Sequence, residues 1–225
     1  FSLAGLRESA LMPCYGMAEA TLAISFDSIE RTFEYVTIDR DRYEEERAAV
    51  RIEASLERKA ARDALEVVSC GRPLAGHEVA IVDERGQRLG EGSVGEIVLR
   101  GPSVTRGYFE DDEASREAIR DGWLYTGDLG FVLEGKVFIS GRKKDLIILN
   151  GRNHDPQSIE WEVEQLEGIR RGNVVAFSRE GANTEDLVVV AESNSNDARA
   201  LGTLVRERLK ESLGLVVAEV VIVPA

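Results

Sequence analysis

The sequence predicts a mixed α/β (α+β) fold in which a strand-rich part is followed by a smaller unit of alternating helices and strands. Residues 71–140 carry short apolar segments separated by glycine-rich turns, which is typical of a small barrel or a distorted sheet. After Arg142 the spacing changes, and two longer segments take the apolar period of an amphipathic helix. A boundary near Lys144 follows from this change.

Four strands and one short helix are predicted in the strand-rich part. Residues 78–83 alternate around Val79 and Ile81 before a turn. A short polar helix fits residues 112–120, with Asp111 or Asp112 as its cap. The other predicted strands cover residues 94–100, 128–133 and 137–140.

Two helices and four strands are predicted beyond the boundary. Residues 156–167 have Pro156 in the first turn of a helix, where its missing N–H costs nothing. Residues 197–213 form the second helix, and its apolar stripe comprises Leu201, Leu204, Val205, Leu209 and Leu213. The four strands are predicted at residues 146–149, 173–178, 187–191 and 219–223.

Residues 39–66 differ from both parts of the chain. They are crowded with arginine and glutamate and contain no glycine or proline. We therefore expect a solvated helix or a mobile loop here.

The composition excludes several classes of partner. A net charge of −13 repels nucleic acid and anionic membrane surfaces, and no apolar run approaches the ~20 residues that cross a membrane.

Cys14 and Cys70 lack metal-ligand spacing, so we expect reduced thiols in a cytoplasmic protein. His77 and His154 stand alone, which argues against a zinc site. The chain starts without a basic segment or an initiator Met, so we expect a piece of a longer protein and not a signal peptide.

Four short segments stand out along the chain. They are YGMAE at 15–19, GE at 95–96 with GY at 107–108, YTGD at 125–128 and GRKKD at 141–145. Each alone is a weak signal, because short glycine-containing strings arise by chance. All four in this order resemble the adenylate-forming superfamily of acyl-CoA synthetases, non-ribosomal-peptide adenylation domains and luciferases.

Within that superfamily the residues of three segments resemble those of the fatty acyl-AMP ligases. The segments that carry this resemblance are residues 15–22, 68–74 and 150–154. The resemblance implies that residues 39–66 are the ligase insertion, which restrains the moving lid and disfavours coenzyme A. Asp155 departs from the pattern, since that group often has Tyr there, and the departure concerns contacts of the lid.

The resemblance also implies a nucleotide site. Asp128 corresponds to the aspartate that accepts hydrogen bonds from both ribose hydroxyls, for which an ionised carboxylate has the acceptors. Arg142 corresponds to an arginine that reaches the ribose or a phosphate. Tyr15 corresponds to the aromatic residue that packs against adenine, and Gly16 lets the chain pass close to the nucleotide. The structural alternatives are a turn-capping aspartate for Asp128, a solvated basic turn for Arg142 and a core tyrosine for Tyr15.

Two residues are implied in catalysis. Glu19 resembles the glutamate that holds Mg²⁺ beside the phosphates, because this hard cation prefers oxygen ligands; the alternative is a surface glutamate. Lys144 falls at the hinge about which the small domain of the family rotates between half-reactions. The GE and GY segments are expected to shape strand turns only.

The resemblance divides the chain into two domains. Residues 1–143 are the end of the large AMP-binding domain, with a strand-rich subdomain at about 71–143, and residues 144–225 are the small carboxy-terminal lid. The family's phosphate loop would precede Phe1, and its catalytic lysine loop would follow Ala225. We therefore expect the 225-residue chain alone to be inactive in adenylation.

The implied function is that of a fatty acyl-AMP ligase. Such an enzyme uses ATP and Mg²⁺ to convert a fatty acid into an acyl-adenylate, and then passes the acyl group to the phosphopantetheine arm of an acyl carrier protein. The alternatives with the same first step are an acyl-CoA synthetase and a non-ribosomal-peptide adenylation domain. A non-catalytic adenylate-fold module that binds partners is the alternative of another class, but it has no need for Glu19, Asp128 and Arg142.

Overall fold

The computed structural model describes residues 4–52, 64–149, 152–181, 185–195 and 197–225. The chain forms two compact units, Phe1–Lys143 and Lys144–Ala225. Strands and helices are mixed in both, which confirms the predicted α+β class. Among the described residues, no helix has the length and apolarity to cross a membrane.

The first unit begins with two small antiparallel sheets. One contains β1 (Cys14–Gly16), β2 (Ala23–Phe26) and β5 (Arg72–Pro73), with β2 in the centre. The other pairs β3 (Tyr35–Asp39) with β4 (Ala64–Val68). None of these strands was among the predicted ones, because they are short and lack a long alternating pattern.

A five-stranded antiparallel sheet forms the main body of the first unit. Its strands are β6 (Glu78–Val82), β7 (Gly95–Arg100), β8 (Ile119–Arg120), β9 (Trp123–Leu133) and β10 (Lys136–Arg142). The order is β10-β9-β7-β6, and β8 pairs with β9. All four predicted strands are present, but β9 starts five residues earlier than expected.

Helix α2 (Asp112–Ala118) precedes β8 and is shorter than the predicted helix. Asp111 caps it, since its carboxylate accepts a hydrogen bond from the Ala114 amide at 2.9 Å. The next two residues, Ile119 and Arg120, leave the helix to pair with β9. Sheet pairing therefore ends the helix two residues early.

The apolar residues of the first unit form two buried clusters. In one of them, Phe131 and Phe138 stack with ring centroids 4.9 Å apart. The other cluster comprises Tyr15, Ala20, Ile24, Ile81, Ile97, Leu99, Leu124 and Val137. This second cluster supports the segments that carry the predicted site.

The charged stretch is only partly as expected. Helix α1 (Arg40–Glu46) begins it and buries no residue, in agreement with a solvated helix. Ala49 contradicts the prediction, because it is 5% exposed, packs with the stacked phenylalanines and donates its amide to the Gly92 carbonyl at 2.7 Å. A small apolar residue in a charged segment can thus join the core. Residues 53–63 lie outside the described part of the chain.

The second unit packs two helices on a three-stranded sheet. The sheet order is β13-β14-β15, with β13 antiparallel and β15 parallel to the central strand. The parallel pair is joined by a helical crossover, as that arrangement requires. The elements are β11 (Ile147–Leu149), β12 (Arg152–His154), α3 (Pro156–Glu164), β13 (Ile169–Glu180), β14 (Glu185–Ser193), α4 (Ala198–Leu213) and β15 (Glu219–Pro224).

Helix α4 is bounded as its sequence indicates. The Asp197 carboxylate accepts from the Ala200 amide at 2.9 Å, and Gly214 ends the helix in the left-handed conformation at φ +67°. Leu201, Val205 and Leu209 are buried on one face. Leu204 was predicted in this stripe but is 48% exposed, because only the four-residue repeat points at the sheet. Residues 150 and 151, part of a predicted motif, lie outside the described residues.

Candidate active site

The YTGD segment forms a bulge in β9. Glu96 of β7 pairs with Leu129, and Val98 pairs with Tyr125, so three residues of β9 stand opposite Ile97 alone. A bulge of this kind interrupts the hydrogen-bond ladder and redirects side chains, and such bulges are frequent beside active sites.

Three hydrogen bonds replace the interrupted ladder. Thr126 Oγ1 donates to the Ile97 carbonyl at 2.7 Å and accepts from the Asp128 amide at 3.0 Å. The Gly127 amide donates to Glu96 Oε1 at 3.1 Å. Gly127 has φ +71°, a left-handed conformation that favours glycine at this position. The backbone that carries Asp128 is therefore held on each side.

Asp128 is the buried charge of the site, at 6% exposure. Its Oδ2 accepts from the Tyr15 hydroxyl at 2.7 Å, and its Oδ1 accepts from Arg142 Nε at 2.9 Å. Arg142 lies directly opposite Asp128 in the β9–β10 ladder. Since an ionised carboxylate offers about four acceptor positions, about two remain for a ligand. Folding has brought together three predicted site residues, two of which are 113 positions apart.

Tyr15 is buried at 7% exposure within the second cluster. Burial, and next the hydrogen bond to Asp128, raise the pKa of Tyr15 well above its ordinary value. The hydroxyl therefore stays protonated and donates to the carboxylate at neutral pH. The observed contact of Tyr15 is with Asp128, whereas packing against adenine stays a prediction.

Packing within the chain leaves no room for a side chain at Gly16. A Cβ atom built on it would lie 1.8 Å from the carbonyl oxygen of Leu22. The close approach is thus between two parts of this chain, β1 and the segment that precedes β2. A close approach of Gly16 to the nucleotide stays a prediction.

Glu19 lies in the short 3₁₀ turn Ala18–Ala20 and is half-buried. Its Oε1 accepts from the Tyr108 hydroxyl at 2.9 Å, and its carbonyl accepts from the Thr105 amide at 2.7 Å. The hydrogen bond to Glu19 raises the pKa of Tyr108, so this hydroxyl also remains a donor. The Glu19 carboxylate is thereby oriented from outside its own turn.

The surroundings of Glu19 suit Mg²⁺ bound mainly by substrate. In the described residues no three or more His, Cys, Asp or Glu side chains cluster as a metal cage. Mg²⁺ commonly uses one or two protein carboxylates and completes its shell with water and phosphate oxygens. A single oriented glutamate fits that coordination.

Lys144 is exposed and starts the second unit, in the 3₁₀ turn Lys143–Asp145. Its predicted hinge role stays a prediction. The preceding residue, Lys143, pairs with Glu96, since its Nζ lies 3.0 Å from Glu96 Oε2.

Sequence reasoning missed four contributors to the site. They are Glu96, Tyr108, Thr126 and Lys143. All lie inside the quoted motifs, but Glu96 and Tyr108 were expected only to shape turns. For Glu96 and Thr126 the usable signal was a neighbouring glycine within an otherwise apolar strand, which often marks a bulge or a close approach of the backbone.

Comparisons with known proteins bear on the same region. The family model described as AMP-binding enzyme matches residues 3–109. A Caulobacter vibrioides protein, provisionally named an acyl-CoA synthetase, is 40% identical over 215 residues, 95% of this chain and 36% of the relative. The Moorena producens protein JamA, named a medium-chain-fatty-acid–[acyl-carrier-protein] ligase, is 34% identical over 236 residues, 98% of this chain and 39% of the relative.

A solved structure from a study of fatty acyl-adenylate ligases of E. coli and L. pneumophila superposes with a TM-score of 0.85. It is 34% identical and is matched over 100% of this chain and 40% of its own length. The chain thus spans about two fifths or less of the proteins it matches. With this fold, the ordered motifs and these relatives, the chain belongs to the AMP-binding enzymes of the adenylate-forming superfamily.

Proposed function

We propose that this chain is part of an ATP-dependent fatty acyl-AMP ligase. The complete enzyme converts a fatty acid into an acyl-adenylate and passes the acyl group to the phosphopantetheine thiol of an acyl carrier protein. The observation that carries the proposal is the Asp128 carboxylate, buried and held by Tyr15 and Arg142 with acceptor positions to spare.

The reaction needs positioning more than it needs a reactive protein group. A fatty acid carboxylate attacks the α-phosphorus of ATP, and pyrophosphate leaves. Both reactants are anions, so orientation and neutralisation of charge supply most of the rate enhancement. Mg²⁺, when bound at Glu19, supplies positive charge beside the phosphates.

Asp128 is suited to hold the ribose. Its two hydrogen bonds fix the carboxylate in one orientation, and burial keeps water from competing for the remaining acceptor positions. Arg142 has a side chain about half exposed, so its guanidinium can contact Asp128 and an oxygen of the nucleotide together. Ribose binding therefore uses both partners of the ion pair.

The two units have different roles in this proposal. The first unit is the end of the large AMP-binding domain, and residues 39–66 are the ligase insertion within it. The second unit is the small lid, and it rotates about Lys144 between adenylation and acyl transfer. The division of the chain between Lys143 and Lys144 supports this assignment.

The identity of the acyl acceptor is the most specific part of the proposal. The name of JamA supports a carrier protein as the acceptor. The residues of the motifs support a fatty acyl-AMP ligase. The name of the Caulobacter relative favours coenzyme A as the second candidate acceptor. The complete enzyme, given fatty acid, ATP and each acceptor in turn, should load the carrier protein; thioester formed on coenzyme A alone would reverse the order.

The nucleotide role of Asp128 is tested by Asp128→Asn in the complete enzyme. This change keeps the shape but removes the charge, and hydrogen bonds to charged groups contribute about 1.5–3 kcal/mol. Affinity for ATP, measured by isothermal titration calorimetry, should fall at least about tenfold. Asp121→Asn is the matched control, because Asp121 is exposed in a turn at φ +50°, which Asn tolerates. Equal ATP affinity in wild type and Asp128→Asn would refute the role.

A further inference from the structure

Glu96 joins the nucleotide loop to the end of the first unit. It lies in the middle of the main sheet, where Val82 of β6 and Leu129 of β9 flank it. Its side chain is 11% exposed. One carboxylate oxygen accepts from the Gly127 amide at 3.1 Å, and the other lies 3.0 Å from Lys143 Nζ. A single, nearly buried carboxylate thus has two partners in different segments.

The contact with Gly127 anchors the bulge of β9 one residue before Asp128. The bulge deprives the Gly127 amide of a partner in the ladder, and Glu96 Oε1 replaces that partner. Gly127 has φ +71°, and a Cβ atom placed on it would meet no neighbouring atom within 4 Å, so side-chain packing does not hold this peptide in place. Since Asp128 follows directly, a rotation of this peptide would turn its carboxylate away from Tyr15 and Arg142.

The two partners of the ion pair between Lys143 and Glu96 differ in exposure. The lysine side chain is 52% exposed, whereas the glutamate is nearly buried. A buried carboxylate requires compensation, while an exposed ammonium does not. Lys143 therefore neutralises Glu96, and its own chain segment is held against the sheet one residue before the unit boundary.

We propose that Glu96 is a positioning residue for nucleotide binding. It fixes the Gly127 peptide, and through it the ribose-binding carboxylate, while it fastens the chain just before the hinge. This inference rests on the proposed function, because it assigns Glu96 to the same nucleotide site. It also means that a displacement of Lys143 would shift Asp128 through the side chain of Glu96.

Steady-state adenylation by the complete enzyme tests the proposal. Glu96→Ala removes both contacts and should raise the KM for ATP about tenfold, equivalent to about 1.4 kcal/mol, with an unchanged KM for the fatty acid. Glu96→Gln keeps an acceptor for the Gly127 amide but loses the charge. It should raise the KM for ATP only about two- to threefold, as expected for the loss of a partly exposed ion pair.

A double-mutant cycle identifies the partner. Lys143→Met should raise the KM for ATP at least as much as Glu96→Gln, because it leaves the nearly buried Glu96 carboxylate without its compensating charge. The double variant should be no worse than Lys143→Met alone, because both changes remove the same ion pair. Additive effects on the KM for ATP would overturn the assignment of Lys143. Glu78→Gln is the control, because it removes an exposed pair with Arg100 on the same sheet and should leave both KM values unchanged.

The outcomes separate this inference from the proposed function. A wild-type enzyme that makes no acyl-adenylate refutes both. An active wild type, with a KM for ATP in Glu96→Ala within twofold of its own, refutes only the role of Glu96. Equal rises in both KM values with a lowered Tm would indicate a merely structural residue and would also overturn the proposal. Should Glu96→Ala fail to fold, Glu96→Gln and Lys143→Met decide, because a KM for ATP equal to that of the wild type in both variants would refute the role of Glu96.

Discussion

Removal of the Tyr15 hydroxyl should have a stability cost that becomes smaller at high pH. Tyr15→Phe leaves the ring in the core cluster and removes only the 2.7 Å hydrogen bond to Asp128. Because the acceptor is a buried carboxylate, the free energy of unfolding at pH 7 should fall by about 2 kcal/mol. This loss leaves one oxygen of Asp128 without its donor.

The pH dependence follows from the direction of the pKa shift. Burial raises the pKa of Tyr15 in the folded protein above the value of about 10 in the unfolded chain. The stabilisation is therefore fully present below about pH 10 and is lost as the pH rises towards the folded-state pKa. By linkage it falls by about 1.4 kcal/mol between pH 7 and pH 11. The gap between wild type and Tyr15→Phe should narrow from about 2 to about 0.6 kcal/mol.

Urea unfolding followed by tryptophan fluorescence can measure this gap. The chain has two tryptophans, so Trp161→Phe leaves Trp123, in the first unit, as the reporter. Tyr35→Phe is the control, because Tyr35 is 55% exposed and its loss should cost less than about 0.5 kcal/mol at either pH. A gap that stays constant from pH 7 to pH 11 would refute the reasoning.

Three further predictions concern other parts of the chain. Glu19→Gln should raise the Mg²⁺ concentration for half-maximal adenylation several-fold, and an unchanged dependence would remove Glu19 from the metal site. Gly16→Ala should lower the free energy of unfolding by about 1–3 kcal/mol, because its Cβ would lie 1.8 Å from a main-chain oxygen. Gly90→Ala, with no atom within 4 Å, should change it by less than about 1 kcal/mol in calorimetry. Leu209→Ala should cost about 2–5 kcal/mol, whereas a comparable loss from the exposed Leu204→Ala would contradict the observed packing of α4.

Local signals in the sequence predicted the second unit well. The predicted bounds 197–213 and the period of Val205 and Leu209 depend on neighbours within one or two turns, so the pattern alone locates α4. Leu204 was assigned to the wrong face, because several leucines close together allow more than one stripe. The direction of a stripe is decided by the sheet it meets, which local pattern does not contain.

Three of the predicted site residues lie together in the structure, but their contacts were not predicted. Asp128 and Arg142 were named from their motifs, but nothing local indicates that the Tyr15 hydroxyl, 113 positions away, binds the same carboxylate. Glu96 was missed for a similar reason. Its importance arises from the interrupted pairing of β7 and β9, and a register shift is a property of two strands together.

The bulge in β9 also constrains how this loop can change. Side chains alternate along a strand, so a loss or gain of one residue between Tyr125 and Leu129 would reverse the faces of everything that follows. Phe131, wholly buried against Phe138, would then point outwards. Variation in this bulge must therefore proceed by exchange of residues at constant length. A library that alters its length would select against folding before it could select for a new activity.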